Sequence, residues 1–211
     1  MAAVGRGMSG DSKSSLTKGD RTRQHIVAKA AAIFNQHGYE GSSMQDLVKA
    51  TGIEKGGIYG HFSSKEELAL EAFDFAWSDT VRKRLGNLDT VSGAIDKLKL
   101  HIRNYTETPS FPGGCPWLNT AVESDDGNLA LRDRARKAVR GWEDALAQII
   151  ADGQRAGEIG KDVDPQGVAV FLIATLEGAT AISRIDKRSS ALPSARKYLE
   201  LFLEAEVKSA P

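Results

Sequence analysis

The sequence predicts an all-α fold of about nine helices, with a helix-turn-helix near the N-terminus. Two patterns predict it. Residues 43–62, Ser-Met-Gln-Asp-Leu-Val-Lys-Ala-Thr-Gly-Ile-Glu-Lys-Gly-Gly-Ile-Tyr-Gly-His-Phe, read as two short helices around a glycine turn. From residue 22 onward, apolar positions recur every three or four residues, and no stretch sustains the alternation of a strand. No internal repeat is present. The 211 residues suffice for one large domain or two small ones, and 41% hydrophobic with 27% charged residues is ordinary for a soluble globular chain. No apolar run approaches the ~18 residues of a membrane span. One cysteine excludes an internal disulfide framework and suits a reducing cytoplasm.

Residues 1–17, rich in Gly, Ser and Ala, lack the apolar centre of a secretory signal and read as a disordered tail. Residues 22–38 form the first helix, with Ile26, Ala30, Ile33 and Phe34 on one face, and His37-Gly38-Tyr39 stops it. Ser43 and Asp46 resemble a capping box for the second, which takes its apolar stripe from Met44, Leu47 and Val48. Gly52 ends it, because glycine enters the left-handed region without a steric penalty. Ile53, Ile58 and Phe62 carry the apolar pattern through a third, short segment. In a helix-turn-helix this second short helix enters the major groove N-terminus first, and that end carries Glu54, Lys55, Gly56 and Gly57. An ordinary helical hairpin is the alternative.

Ser64-Lys65-Glu66-Glu67 reads as a capping box opening the fourth helix, in which Leu68, Ala72 and Phe75 point one way as far as Gly86-Asn87. Val91, Ile95, Leu98, Ile102 and Tyr105 make an amphipathic fifth helix. Residues 109–116 form the one dense turn cluster, a short helix follows at 116–123, and Asp125-Asp126-Gly127-Asn128 interrupts it. The segment 129–156 is long and helical, with Val139, Trp142, Leu146 and Ile149 in register. Asp164-Pro165 opens the next helix, with proline at the first position, running to about Arg184; residues 193–207 make the last. Phe171, Thr175, Ala179 and Ile182 lie on one stripe beside small residues, and Leu199 and Phe202 on another. Two such helices could form half of a four-helix bundle across a two-fold axis. Packing within the chain is the alternative.

Over residues 20–70 the sequence resembles the TetR family of transcriptional regulators. The residues that carry the resemblance are Thr22-Arg23-Gln24-His25-Ile26, Phe34, Gly38-Tyr39, Ser42-Ser43-Met44, Gly52-Ile53, Lys55-Gly56, Ile58-Tyr59, His61-Phe62 and Ser64-Lys65-Glu66. It implies a homodimer on a palindromic double-stranded operator, a dimer interface on the last two helices, and a small-molecule effector bound between helices. The domains would be 18–66, reading DNA, and 67–211, binding effector and dimerising. The chain departs from the family pattern at Gly57 and Gly60, where a Thr or Ser and an aromatic or His are usual, so two contacts are in doubt.

Ten residues are candidates for DNA contact. Lys55, Gly56 and Gly57 open the recognition helix, where Lys55 could reach a base edge or a phosphate. Tyr59 and His61 could bond phosphates; Lys65 sits at a helix N-terminus, a favourable phosphate site. Ser42, Ser43, Gln45 and Arg23 begin neighbouring helices and are plausible backbone contacts. Zero net charge, split +2 over residues 1–68 (9 Lys+Arg, 7 Asp+Glu) and −2 over the rest (19 and 21), argues against a broad polyanion-binding surface. Binding must then come from placed cations and two copies acting together.

Candidates for the effector pocket are Phe75, Tyr105, Phe111, Cys115, Trp117, Trp142 and Phe171, which could equally be core. Cys115 precedes Pro116, so a helix N-terminus could depress its thiol pKa, and the Gly-Gly-Cys segment resembles electrophile-sensing members of the family. A buried, inert thiol is the alternative. The four histidines lack metal-ligand spacing, no catalytic set or cofactor pattern emerges, and an enzyme using Cys115 would lack an indicated base.

Overall fold

The computed structural model describes residues 16–108, 110–187 and 189–209. They fold into nine α-helices: α1 Lys18–His37, α2 Met44–Thr51, α3 Lys55–Tyr59, α4 Lys65–Leu85, α5 Ala94–Glu107, α6 Pro116–Ser124, α7 Leu129–Ala156, α8 Pro165–Ile185 and α9 Ala191–Phe202. A 3-10 turn follows α4 at Leu88–Thr90, and a π-helical turn, Leu203–Val207, continues α9.

The local signals explain most boundaries. Ser43 and Asp46 form a reciprocal capping box, Gly52 closes α2 at φ 68°, and Asp164 caps α8 with Pro165 in its first turn. Some boundaries and one cap differ from expectation: α5 starts at Ala94, not at Val91, and α9 at Ala191, two residues before the expected start. The first helix starts four residues early, because Thr17 and Asp20 make a second reciprocal capping box; all but the last two residues of the expected tail lie outside the described residues. At α4 only half a box exists. Ser64 caps the Glu67 N–H, but the Glu67 carboxylate accepts from the N–H and hydroxyl of Ser63 instead.

α1, α2, α3 and the start of α4 enclose one core of Ile26, Ala30, Leu47, Ile58, Phe62 and Leu68. Burying Leu47, Ile58 and Phe62 contributes about 1.5–3 kcal/mol each, which holds helices too short to persist alone. α5, α7, α8 and α9 enclose the larger core, built on Leu98, Ile102, Leu146, Ile150, Leu172 and Leu176. α4 is shared: Leu68, Ala72 and Ala76 belong to the first core, Ala69 and Phe73 to a third cluster with Leu131 of α7, and Trp77 and Leu85 pack on the larger core. It is one rod running from the helix-turn-helix to the C-terminal bundle.

α8 is apolar all round, long and hydrophobic enough by length and composition to cross a membrane, against the sequence reading. Here one side of it lies in the larger core and the other carries an exposed apolar stripe of Phe171, Ile182 and Ile185. Two residues expected in a dimer interface, Ala179 and Leu199, are buried within the chain, and Thr175 is half-buried. The outward apolar positions are Phe171 and Ile182 of α8 and Tyr198 and Leu201 of α9, with Phe171 and Phe202 ring centroids 4.9 Å apart. The difference follows from side-chain direction: Ala179 and Leu199 point one helix face away from that stripe, into the core.

Candidate nucleic-acid interface and buried polar cluster

α2 and α3 meet at the glycine turn. Thr51 accepts the Ile53 N–H, and its carbonyl lies 2.9 Å from His25 Nε2, tying the turn back to α1. α3 has no side-chain cap; Ile58 alone is buried, and Lys55, Gly56, Gly57 and Tyr59 face outward. A Cβ at Gly56 would meet nothing, whereas one at Gly57 would lie 2.7 Å from Ile53 Cγ2, so the bare backbone at Gly57 leaves room for the Ile53 side chain of the turn. Lys55 Nζ stands 5.9 Å from the Tyr59 ring, a cation over an exposed aromatic face. Ser43 and Gln45 are exposed at the start of α2, and His61 is half-buried after α3.

Three other candidates are engaged elsewhere. Ser42 is buried and donates its hydroxyl to the Gly38 carbonyl at 2.5 Å, so it offers nothing to a phosphate. Arg23 lies over the Phe62 ring at 4.4 Å and pairs with Glu67 and Glu71 of α4. Lys65 lies 4.3 Å from the Tyr39 ring centroid and donates to the Tyr39 carbonyl. Arg23 and Lys65 thus brace α4 against α1 and the turn that follows it.

The pocket candidates divide. Tyr105, Cys115 and Trp142 converge on a buried polar cluster. Phe75 is exposed and touches Phe111 edge-on at 6.4 Å; Trp117 belongs to the third cluster and donates its indole N–H to the Ala135 carbonyl; Phe171 faces outward. The seven residues thus do not line one pocket: they lie on different helix faces and, for Phe111, in the loop before α6. Phe111 instead lines, with Arg84, Tyr105 and Gly114, a cavity of about 20 Å³, room for one water.

Beside Tyr105, Cys115 and Trp142, the cluster holds residues that the sequence did not single out as pocket candidates. Arg84 near the end of α4, His101 of α5, and Glu177 and Thr180 of α8 are all buried. Cys115 Sγ donates to Glu177 Oε1 at 2.9 Å, and Arg84 Nη1 reaches the same oxygen at 3.4 Å. Tyr105 Oη and Thr180 Oγ1 are 2.8 Å apart. Trp142 Nε1 donates to His101 Nε2 at 3.3 Å, so His101 carries its proton on Nδ1, beside the Arg84 carbonyl. Burial pushes the His101 pKa down to about 4, with the Arg84 charge acting in the same direction. One sequence signal was available: Glu177 is the sole charge between Pro165 and Ser183 in an otherwise apolar helix.

Cys115 does not behave as its helix-terminal position suggested. Burial and the neighbouring Glu177 carboxylate push its thiol up to about 12, outweighing Arg84 and the backbone bond from Leu118 that favour the thiolate. The low-pKa sensing thiol is not built here.

From this cluster the chain leads back to the helix-turn-helix. Gly113 and Gly114, both at positive φ, lay the 110–115 loop against the end of α1. Asn35 donates to the Pro112 and Gly114 carbonyls at 2.7 and 3.1 Å, and Asn119 of α6 donates to Asn35 and to the Gly113 carbonyl. One turn on, Glu123 accepts the Tyr39 and Glu40 N–H groups, each at 2.9 Å. α6 is thus clamped to the C-terminal end of α1.

Comparison with known proteins gives consistent matches. Residues 26–72 match the family described as bacterial regulatory proteins, tetR family, and residues 94–199 the tetracyclin repressor-like C-terminal domain. The HTH-type transcriptional repressor DhaR of Mycobacterium sp. (strain GP1) is 30% identical over 188 residues, covering 89% of this chain and 93% of that one. The repressor ComR of Escherichia coli (strain K12) is 30% identical over 168 residues, covering 77% and 79%. The crystal structure of a TetR transcriptional regulator from Chloroflexus aurantiacus superposes with a TM-score of 0.87 at 40% identity, covering 92% of this chain and all of that one.

Proposed function

Since the chain belongs to the TetR family of transcriptional regulators and is a DNA-binding regulator, we propose that it works as a homodimeric repressor released from a palindromic operator by a small-molecule effector in the cytoplasm. Residues 18–66 would read the DNA, and residues 67–211 would dimerise and hold the effector. The observation that carries this reading is the exposed face of Lys55, Gly56, Gly57 and Tyr59, held outward by the buried Ile58 anchor. Its bare glycines let the α3 backbone approach a duplex closely, while Lys55 supplies a cation and Tyr59 a hydroxyl. DhaR and ComR, both named repressors, support the repressing sense.

The outward apolar stripe of α8 and α9 supports dimerisation. Exposed apolar surface of this kind marks an interaction face, and a two-fold axis would bring the same stripe of a second copy onto it. Effector binding at the buried cluster would act on α4 and, through Cys115 and the 110–115 loop, on α6 and its clamp on α1. A conformation that altered either would change the spacing of the two reading heads.

The test is fluorescence anisotropy with duplexes from the DNA flanking the gene, at several salt concentrations, beside sedimentation of the free protein. A sequence-selective complex of two chains per site is expected. A protein that stays monomeric at micromolar concentration and binds all duplexes equally would overturn the reading.

A further inference from the structure

Arg84 occupies a slot that has the make-up of a cation-binding site. Its guanidinium carbon lies 4.0 Å from the Tyr105 ring centroid and 4.8 Å from that of Trp142, two rings stacked within 8° of parallel. Facing the guanidinium is Glu177, whose carboxylate is almost wholly buried and also accepts the Cys115 thiol. We propose that this slot is the binding site for a small organic cation, a guanidinium or ammonium compound, which enters by displacing the Arg84 side chain; this rests on the reading as an effector-responsive regulator.

Three features favour exchange over a purely structural ion pair. Arg84 meets Glu177 through one nitrogen at 3.4 Å, where a committed guanidinium–carboxylate pair is bidentate and shorter. Glu177 Oε2 is buried with no hydrogen-bond partner among the described residues, a costly state that a ligand with two N–H donors relieves. Arg84 is also next to the last residue of α4, with Gly86 capping the helix and the small cavity beside it. The expelled side chain can therefore move to solvent at a helix C-terminus, where a cation is favoured.

The chemistry selects the sign of the ligand. An anion would approach the Glu177 carboxylate and the electron-rich ring faces, which repel it. A cation gains both the carboxylate and the ring quadrupoles. Displacing Arg84 removes the link between the end of α4 and Glu177 of α8. The far end of α4 bears Glu67 and Glu71, which hold Arg23 of α1, the helix against which α2 and α3 pack, so occupancy of the slot reaches the reading head along one rod.

Calorimetric titration of the full chain with ethylguanidinium, and with ethylurea as its neutral counterpart, tests this. Ethylguanidinium should bind wild type at one per chain and Arg84→Ala at least about ten-fold more tightly, since no internal group must first be expelled. Glu177→Gln should lose it, and ethylurea should bind none of the three. Equal affinity for wild type and Arg84→Ala, comparable binding of ethylurea, or no heat from wild type above the ethylurea control would each overturn the proposal. Should Arg84→Ala not fold, Arg84→Met, which keeps the aliphatic stem, replaces it with the same expected direction. DNA binding by ligand-free wild type is read in parallel. A protein that binds DNA yet takes no cation overturns this inference alone, whereas one that binds no DNA removes the regulator reading.

Discussion

Replacing Gly113 with alanine adds one methyl group where the structure has least room for it. The new Cβ would stand 2.4 Å from the Asn35 carbonyl oxygen and 2.7 Å from its carbon, both backbone atoms of α1 that cannot rotate aside. The residue would also have to hold φ near 93°, a left-handed conformation that costs a non-glycine residue about 1–3 kcal/mol. To relieve the contact the 110–115 loop must lift from α1, lengthening the Asn35 bonds to Pro112 and Gly114. Losing one of these adds about 1 kcal/mol. The total is about 3 kcal/mol, a fall in Tm of about 6–12 °C for a chain of this size. Gly141, exposed on α7 with nothing within 4 Å of a Cβ, is the control. Gly141→Ala should instead raise stability by about 0.8–1.0 kcal/mol, the helix propensity difference. Differential scanning calorimetry at one fixed protein concentration reads both, since a dimer's Tm depends on concentration. A drop below about 2 °C for Gly113→Ala, less than 1 kcal/mol, would show that the loop is not clamped to α1 as described.

Four further outcomes are expected. Ile182→Glu puts a charge on the outward stripe while leaving the core untouched, so it should yield a folded monomer by sedimentation with weakened operator binding; an intact dimer would move the interface elsewhere. Lys55→Ala should weaken DNA binding and lower the slope of log affinity against log salt by about 1, as one phosphate contact is lost; an unchanged slope and affinity would remove Lys55 from the interface. Keeping His101 neutral adds stability that is fully present above pH 6.5, the free imidazole value, and is lost as pH falls toward about 4, up to about 3 kcal/mol. Urea melts across that window should show the loss in wild type and a smaller one in His101→Gln. Native Cys115 should resist iodoacetamide at neutral pH and react once urea unfolds the chain, with Cys115→Ser as the blank; fast native alkylation would contradict a thiol raised to about 12.

Local chemistry made the helical framework legible in the sequence. The Ser43–Asp46 box, Gly52 and Asp164-Pro165 act through bonds within one turn of backbone, so their consequences do not depend on the rest of the fold. The outward face of α3 was legible for the same reason: Ile58 must point inward for α3 to pack, which leaves Lys55, Gly56 and Tyr59 outside. What tertiary structure alone decided was which competitor each side chain met. Ser42, Arg23 and Lys65 have the chemistry to hold a phosphate, yet partners 4, 44, 48 and 26 residues away in the chain engage them first. Helical spacing put Ala179 near the α8 stripe without saying which face the core would take. The helix terminus at Cys115 promised a low thiol pKa. The Glu177 carboxylate, 62 residues on, and the exclusion of water reverse it, because electrostatic energy depends on distance and dielectric in three dimensions, and neither is written in a linear order of residues.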